Sequence, residues 1–189
     1  MKPGAGFRAV ALALALAVSV CAPGGSAAPP RGGDEAPSDY EVKAAFLFHF
    51  AKFVEWPEGA LPPSGAFVVG VLGTDPFGAI LDETLQGKTV LGRPIAVHRY
   101  SQPEEVAGCH ILFIAASEQR RLSIVMKVLG DRPMLTVGDT EEYAERGVMV
   151  NFRVQKKKVR FEINVQRAEA ARLRISSQLL KLATLVEGR

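Results

Sequence analysis

The amino-acid sequence predicts an α/β fold, a mixed sheet of alternating strands and helices that ends in an antiparallel hairpin and a C-terminal helix. Two observations lead to this prediction. Four apolar segments between residues 66 and 139 alternate with segments that carry helix start and stop signals, as in sheets covered by helices on both faces. Two later segments alternate apolar and polar residues around a short basic turn, which is the pattern of a hairpin with one buried face.

The first helix is predicted from Asp39 to just before Pro57. Ser38 precedes Glu41 by three positions, as in a capping box, and an apolar period follows. A second helix is expected from Asp75-Pro76 to near Gly87, with Asp75 as its N-cap. Apolar runs predict strands at 66–73, 93–100, 110–116 and 133–139. Cap signals predict a helix from Ser117 to Leu129, which Gly130 ends, and a short helix is expected at 141–146.

The pattern changes after residue 147, where two alternating segments are joined by the sequence QKKK. We expect an antiparallel hairpin, followed by a long helical region over residues 166–186. The matching apolar faces of the two strands are Val148, Val150, Phe152 and Val154 on the first and Val159, Phe161, Ile163 and Val165 on the second.

Residues 1–28 have the pattern of a secretory signal peptide. Lys2 and Arg8 provide a positive start, and residues 9–20 form an apolar run that is too short to span a bilayer comfortably. Ser26 and Ala28 have the small side chains of a signal-peptidase site. We therefore expect cleavage after Ala28, a flexible linker at 29–38, and one exported domain at 39–187.

The cysteine content and the charge of the mature chain disfavour a lipid-anchored protein and a nucleic-acid-binding protein. Cys21 follows the apolar run as a lipidated cysteine would, but the bulky Val20 before it disfavours that alternative. Loss of the signal peptide leaves Cys109 without an internal disulfide partner, and a buried residue is expected there. The sequence pI of about 9.0 depends partly on the signal peptide, so it gives little support for nucleic-acid binding.

No motif indicates catalysis, a metal or a cofactor. His49, His98 and His110 lack ligand-spaced neighbours, and the glycines of VLGTDPFG lack the spacing of a phosphate loop. A catalytic triad is defined by geometry, so its presence stays open at this point. For the lysines at 156–158, a solvated turn that discourages edge pairing is the simpler interpretation, and an anion or lipid-headgroup site is the alternative.

The first helix, KAAFLFHFAKFVEWP from Lys43 onward, has an apolar stripe at three- and four-residue steps. His49 falls inside the stripe and is predicted to be a neutral core histidine. Phe48 and Lys52 fall on the opposite face, which should be exposed to solvent, and Trp56 follows at the end of the helix. Phe48, Lys52 and Trp56 are therefore the predicted partner-binding residues. The alternative is that the C-terminal helix covers Phe48. The predicted stripe is Val42, Ala45, Phe46, His49, Phe50 and Phe53, and the predicted wet face adds Glu41, Ala44 and Glu55.

These segments, together with GVLGTDPFG, CHILFI, LTVGD, GVMVNF, VRFEINV and LRISSQLLKLA, resemble the YfiR-like family from about Tyr40 to Val186. The resemblance implies a non-catalytic periplasmic protein that represses a membrane-bound diguanylate cyclase through the periplasmic part of the cyclase. It also implies that an outer-membrane lipoprotein can sequester the repressor, and it leaves a homodimer open. Some relatives contain disulfides, which the single Cys109 of the mature chain does not allow internally.

Three functions are compatible with these features of the sequence. The first is a periplasmic regulator that acts by protein contact and lowers cyclic di-GMP signalling and biofilm formation. The second is a sensor that binds a small ligand at the strand ends. The third, a periplasmic hydrolase, is disfavoured because no activated nucleophile or metal set is recognised.

Overall fold

A computed structural model describes residues 36–61 and 64–188 of the chain. The predicted signal peptide at 1–28, its cleavage site and residues 29–35 of the predicted linker lie outside the described residues. The elements in chain order are α1 (Asp39–Phe53), β1 (Val54–Glu55), β2 (Phe67–Leu72), α2 (Ala79–Leu85), β3 (Thr89–Val90), β4 (Arg93–Tyr100), β5 (Ile111–Ile114), α3 (Leu122–Leu129), β6 (Leu135–Gly138), β7 (Val150–Gln155), β8 (Lys158–Ile163), α4 (Val165–Ala170), β9 (Arg174–Ile175), α5 (Ser177–Leu180) and β10 (Thr184–Leu185).

An eight-stranded mixed sheet has the order β10-β8-β7-β6-β5-β2-β4-β3. Strands β4, β2, β5, β6 and β7 are parallel to one another, β8 returns antiparallel to β7, and β10 adds in parallel to β8. A small separate sheet pairs β1 with β9. The predicted α/β class with a mixed sheet is confirmed.

Strands β2 and β5 are apolar at every position because the sheet is covered on both faces. In β5, Ile111 and Phe113 pack in the core cluster that also contains the buried residues of α1 and α2. Leu112 and Ile114 pack in a second cluster with the buried residues of α3. Alternate residues of one strand therefore enter different cores, as expected for a sheet between two helical layers.

The predicted hairpin is confirmed in its register. Phe152 pairs with Phe161, Val150 with Ile163, and Val154 with Val159. Lys156 and Lys157 form the two-residue turn, with φ values of 50° and 61°. Positive φ at both central residues is the geometry of a type I′ turn, which matches the twist of the strands.

Two predicted helix caps are wrong because tertiary hydrogen bonds use the side chains differently. Asp75 does not cap α2, which begins at Ala79; its carboxylate accepts the N–H of Phe77 at 2.8 Å and the Nε–H of Arg99 at 2.7 Å. Ser117 does not cap α3 either. It lies in a 3₁₀ segment, Ala116–Arg121, and its hydroxyl accepts the N–H of Thr74 at 2.9 Å.

The predicted short helix at 141–146 is a series of turns. Tyr143 is fully buried there, and its hydroxyl donates to the carbonyl of Ala115 at 3.1 Å. The segment is also attached at Thr140, whose carbonyl accepts from the side chain of Asn151 at 2.9 Å. Glu142 has a φ of 65°, which interrupts a helical path in this segment.

The predicted long helical region at 166–186 is also wrong in detail. It contains the short helices α4 and α5, separated by β9 and followed by β10. Arg172 has a φ of 59°, which ends the helical path, and Leu173 is buried just after it. The backbone instead gains sheet hydrogen bonds at β1 and at the edge of β8.

Candidate partner-binding surface

Helix α1 begins with the predicted capping box. The hydroxyl of Ser38 accepts the N–H of Glu41 at 3.3 Å, and the Glu41 carboxylate accepts the N–H of Ser38 at 2.6 Å. The bond from the Ser38 N–H lowers the pKa of Glu41. The reciprocal bonds satisfy two backbone donors at the helix start and fix where α1 begins.

The buried face of α1 differs from the predicted stripe by about one residue position, or roughly 100° of rotation. Ala44, predicted on the wet face, is fully buried, whereas Ala45 and His49 are exposed. The prediction that His49 is a core histidine is therefore wrong. The buried residues of the helix are Lys43, Ala44, Leu47, Phe50 and Ala51.

Lys43 accounts for this orientation. Its Nζ lies 2.8 Å from the Oδ2 of Asp139, just after β6, and both side chains are less than a tenth exposed. The hydroxyl of Tyr40 donates to the same oxygen at 3.1 Å, and Lys43 Nζ also lies 4.2 Å from the Tyr40 ring centroid. Burial and, next, the Asp139 charge raise the pKa of Tyr40 to about 12.

In this orientation, three half-buried aromatic rings, one exposed imidazole and one exposed ammonium group lie on the solvent side of α1. We call this set of side chains the α1 surface. Lys52 Nζ lies 4.5 Å from the ring centroid of Phe48, and Lys88 Nζ lies 5.4 Å from it. The exposed His49 ring lies 6.2 Å from Phe48 and 6.3 Å from Phe53, centroid to centroid. The α1 surface consists of Phe46, Phe48, His49, Lys52 and Phe53.

An apolar groove runs between the α1 surface and the C-terminal segment. Its lining is Phe46, His49, Phe53, Gln178, Leu179 and Leu182. Leu182 is 65% exposed, so part of this lining is open to solvent. Phe48 is half-buried against the core cluster, and its ring also lies near Lys52, Lys88 and His49.

Trp56 makes different contacts from Phe48 and Lys52, the other two predicted partner-binding residues. Its ring packs edge-on against Phe67 at 5.2 Å, and it is half-buried against the core. Its Nε1 is buried and has no hydrogen-bond partner among the described residues. The structure thus brings Phe48 and Lys52 together, and the role of all three in binding a partner stays a prediction.

The remaining titratable residues of interest are structural. Cys109 is buried as predicted, and burial raises its pKa to about 12. His110 accepts the N–H of Val68 on Nδ1 at 2.9 Å, and burial, followed by the charge of Arg93, lowers its pKa. Within residues 36–61 and 64–188, no three His, Cys, Asp or Glu side chains are grouped as metal ligands would be.

The crevice at the strand ends, where an α/β sheet commonly binds a ligand, is occupied by side chains. Between the ends of β2 and β5, Ser117 bonds the Thr74 N–H, and the buried Glu118 binds Arg121 Nε at 2.5 Å. An added Cβ at Gly73 would clash with Ser117 and Glu118. The predicted ligand position of a small-molecule sensor is therefore filled.

Sequence reasoning misses the residues that line the groove, which are Phe46, His49, Phe53, Gln178, Leu179 and Leu182. The apolar stripe assigns the first three to the core because it lies one position away from the face that is buried. Their exposure depends on the partner of Lys43, which is 96 residues distant. The only local signal is the presence of apolar residues all around α1, which leaves its orientation undetermined.

None of the described helices is long and apolar enough to cross a membrane. No curated protein matched the chain. The model of the YfiR/HmsC-like family matches residues 40–184, which include every strand of the sheet except the last residue of β10 and nearly all of α1. The chain belongs to the YfiR/HmsC-like family.

Proposed function

We propose that this chain is a periplasmic, non-enzymatic regulatory protein that binds and represses a membrane-bound diguanylate cyclase. Repression would lower cyclic di-GMP signalling and biofilm formation. The family is one of periplasmic regulators linked to such cyclases. The observation that supports the proposal most directly is the α1 surface, where Phe46, His49 and Phe53 border an apolar groove that is open to solvent.

The chemistry of this surface suits a protein partner. Aromatic side chains in partly enclosed sites contribute most of the energy of many interfaces. The half-buried Phe48 is held by packing and by two nearby ammonium groups, so little conformational entropy would be lost on binding. Lys52 and Lys88 favour a partner that places a carboxylate beside the Phe48 ring.

The mechanism is a population shift of the cyclase. A regulator that binds the inactive state 100-fold more tightly than the active state biases the equilibrium by about 2.7 kcal/mol. No covalent step by the regulator is needed. An outer-membrane lipoprotein that competes for the same chain would relieve repression by lowering the free concentration of the regulator.

The test uses His49→Ala and Lys52→Glu, because both residues are exposed and surface changes typically alter stability by less than about 0.5 kcal/mol. We expect each variant to lose capture of the cyclase from solubilised membranes and to fail to lower cyclic di-GMP in a deletion strain. Phe48→Ala is a less clean probe, since truncating a half-buried Phe should itself cost about 1–2 kcal/mol.

Ile124→Ala is the matched control, because Ile124 is 60% exposed on α3, in the opposite helical layer. This variant should capture the cyclase and repress as the unaltered chain does. Equal capture by His49→Ala, Lys52→Glu and Ile124→Ala would exclude the α1 surface. Unchanged cyclic di-GMP after deletion of the gene would refute repression itself.

A small-ligand sensor is the second candidate, and the groove beside Leu179 and Leu182 is the observation that favours it. The chain has a single tryptophan, Trp56, just beyond α1, so its fluorescence can report binding near this surface. A small apolar metabolite that raises the melting temperature in a saturable way would support this function. Loss of that effect in Leu182→Glu would assign the ligand to the groove.

A further inference from the structure

The tip of the β7–β8 hairpin carries a concentrated positive charge that the proposed cyclase contact does not use. Lys156, Lys157, Lys158 and Arg160 are all exposed. Within the described parts of the chain, no carboxylate lies within 4.0 Å of these four cations. We propose that this tip binds the surface of an anionic phospholipid bilayer.

The arrangement concentrates charge on one face of the hairpin. Arg153 and Arg160 are direct cross-strand partners, and like charges in such positions repel each other. Arg153 has carboxylates of Glu162 and Glu141 at 3.8 and 3.9 Å, whereas Arg160 has no such neighbour among the described residues. The field of Arg160 therefore adds to that of the turn lysines.

The turn itself is not one that lysine stabilises. Both turn residues have positive φ, where Asn and Gly are strongly preferred and other residues are strained. Turn chemistry alone would favour Asn-Gly at positions 156 and 157. An observed backbone outlier of this kind supports a functional reason for the side chains that occupy it.

The tip also offers shape and apolar contact suited to a headgroup layer. A shallow depression is lined by Gln155, Lys156, Lys158 and Arg160, so three cations surround a space open to a phosphate group. Val154, on the opposite face of the hairpin end, is 51% exposed and offers an apolar contact for the boundary between headgroups and acyl chains. Attraction to anionic lipid combined with a small apolar contact is the usual basis of reversible binding to bilayers.

A bilayer fits better than an acidic protein as the occupant. Protein interfaces are depleted in lysine and centre on aromatic or arginine anchors in pockets, whereas three of the four cations here are lysines and no aromatic ring lines the depression. Clusters of four or more lysine and arginine side chains are typical of contacts with anionic lipid. The proposed bilayer contact uses the hairpin tip, whereas the proposed cyclase contact uses α1. Variants of the tip therefore test bilayer binding without altering the cyclase contact.

The test is co-sedimentation with vesicles of equal parts phosphatidylglycerol and phosphatidylcholine. The double variant Lys156→Asn with Lys157→Gly should fold at least as well as the unaltered chain, because it supplies the preferred turn residues. Since each lysine contributes about fivefold to binding at an anionic surface, vesicle binding should weaken about 30-fold. Lys158 and Arg160 are retained, so the outer face of β8 keeps its charge.

The control variant removes equal charge elsewhere. Arg120→Gln with Lys127→Gln neutralises two exposed cations near and on α3, and it should bind vesicles within about twofold of the unaltered chain, since charges outside the contact contribute little. Binding should also disappear with pure phosphatidylcholine and near 1 M salt, where the Debye length falls to about 3 Å.

Several results would overturn the proposal. They are absence of binding to the anionic vesicles, undiminished binding by the Asn-Gly variant, and equal losses in the two double variants. Displacement by inorganic phosphate at constant ionic strength would identify a free-phosphate site instead of a bilayer. Binding to soluble polyglutamate as tight as to vesicles of matched charge would identify an acidic protein as the occupant. A melting temperature for the Asn-Gly variant at or above that of the unaltered chain establishes that lost binding is not lost folding.

Discussion

Replacing Asp139 by Ala tests whether α1 is held in its orientation by the buried ion pair. Asp139 and Lys43 are 8% and 7% exposed at the side chain, so the substitution would leave an ammonium group buried without its counterion. Breaking a buried pair on one side typically costs about 3–5 kcal/mol. Tyr40 would also lose the acceptor of its hydroxyl. We therefore expect a large loss of stability from one small truncation.

The measurement is urea unfolding followed by Trp56 fluorescence and by circular dichroism, with a parallel thermal scan. For a domain of this size, about 3–5 kcal/mol corresponds to a fall in melting temperature of about 6–20 °C. Asp131→Ala is the matched control. It breaks a 2.6 Å ion pair with Arg167, but Asp131 is 62% exposed, so a cost of about 1 kcal/mol or less is expected.

A second substitution separates the buried charge from other effects of Asp139→Ala. Adding Lys43→Met removes the unpaired ammonium and keeps most of the apolar volume, so much of the stability should return. A cost for Asp139→Ala no larger than that for Asp131→Ala would refute the reasoning. So would a double variant less stable than Asp139→Ala alone.

Three further predictions concern ionisation. Because burial raises the pKa of Cys109 to about 12, its thiol should react with a disulfide reagent at pH 8 only as fast as the chain unfolds, and fast reaction in the native state would contradict its burial. The pKa of Tyr40 is raised from 10.0 to about 12. The stability that this shift contributes is therefore complete below about pH 10 and is lost between about pH 10 and 12. Tyr40→Phe should flatten this alkaline decline, measured as the urea concentration at the midpoint of unfolding. The pKa of His110 is lowered, so its contribution is complete above the unfolded value of about 6.5 and is lost as the pH falls below it. His110→Asn keeps an acceptor for the Val68 N–H and should reduce the decline in stability below about pH 6.5, whereas an unchanged decline would assign it to other groups.

The strands and the hairpin could be predicted because their signals are local. The apolar run at Ile111–Ile114 and the alternation that pairs Phe152 with Phe161 are both properties of short segments, and the capping box of Ser38 and Glu41 spans four residues. In each case, the free energy that decides the structure comes from residues near in sequence or from burial of an obvious apolar face.

The features that could not be predicted depend on distant partners. Asp75 would cap a helix in isolation, but Arg99, on a neighbouring strand, binds its carboxylate. The buried face of α1 depends on Lys43, whose counterion lies 96 residues away in the sequence. The C-terminal segment resembles a helix, yet its backbone completes two sheet edges. Long-range hydrogen bonds override local propensity in all three places.

The short strand β10 has a consequence for truncated forms of the protein. It covers β8 only at Glu162 and Ile163, and Val186 adds one more bond to the carbonyl of Ile163. Removing residues 184–188 would leave the backbone of Glu162 and Ile163 without its sheet partners on this side of β8. An unpaired strand edge is a site where a second chain can add to the sheet, so C-terminal proteolysis should increase the tendency of the protein to self-associate.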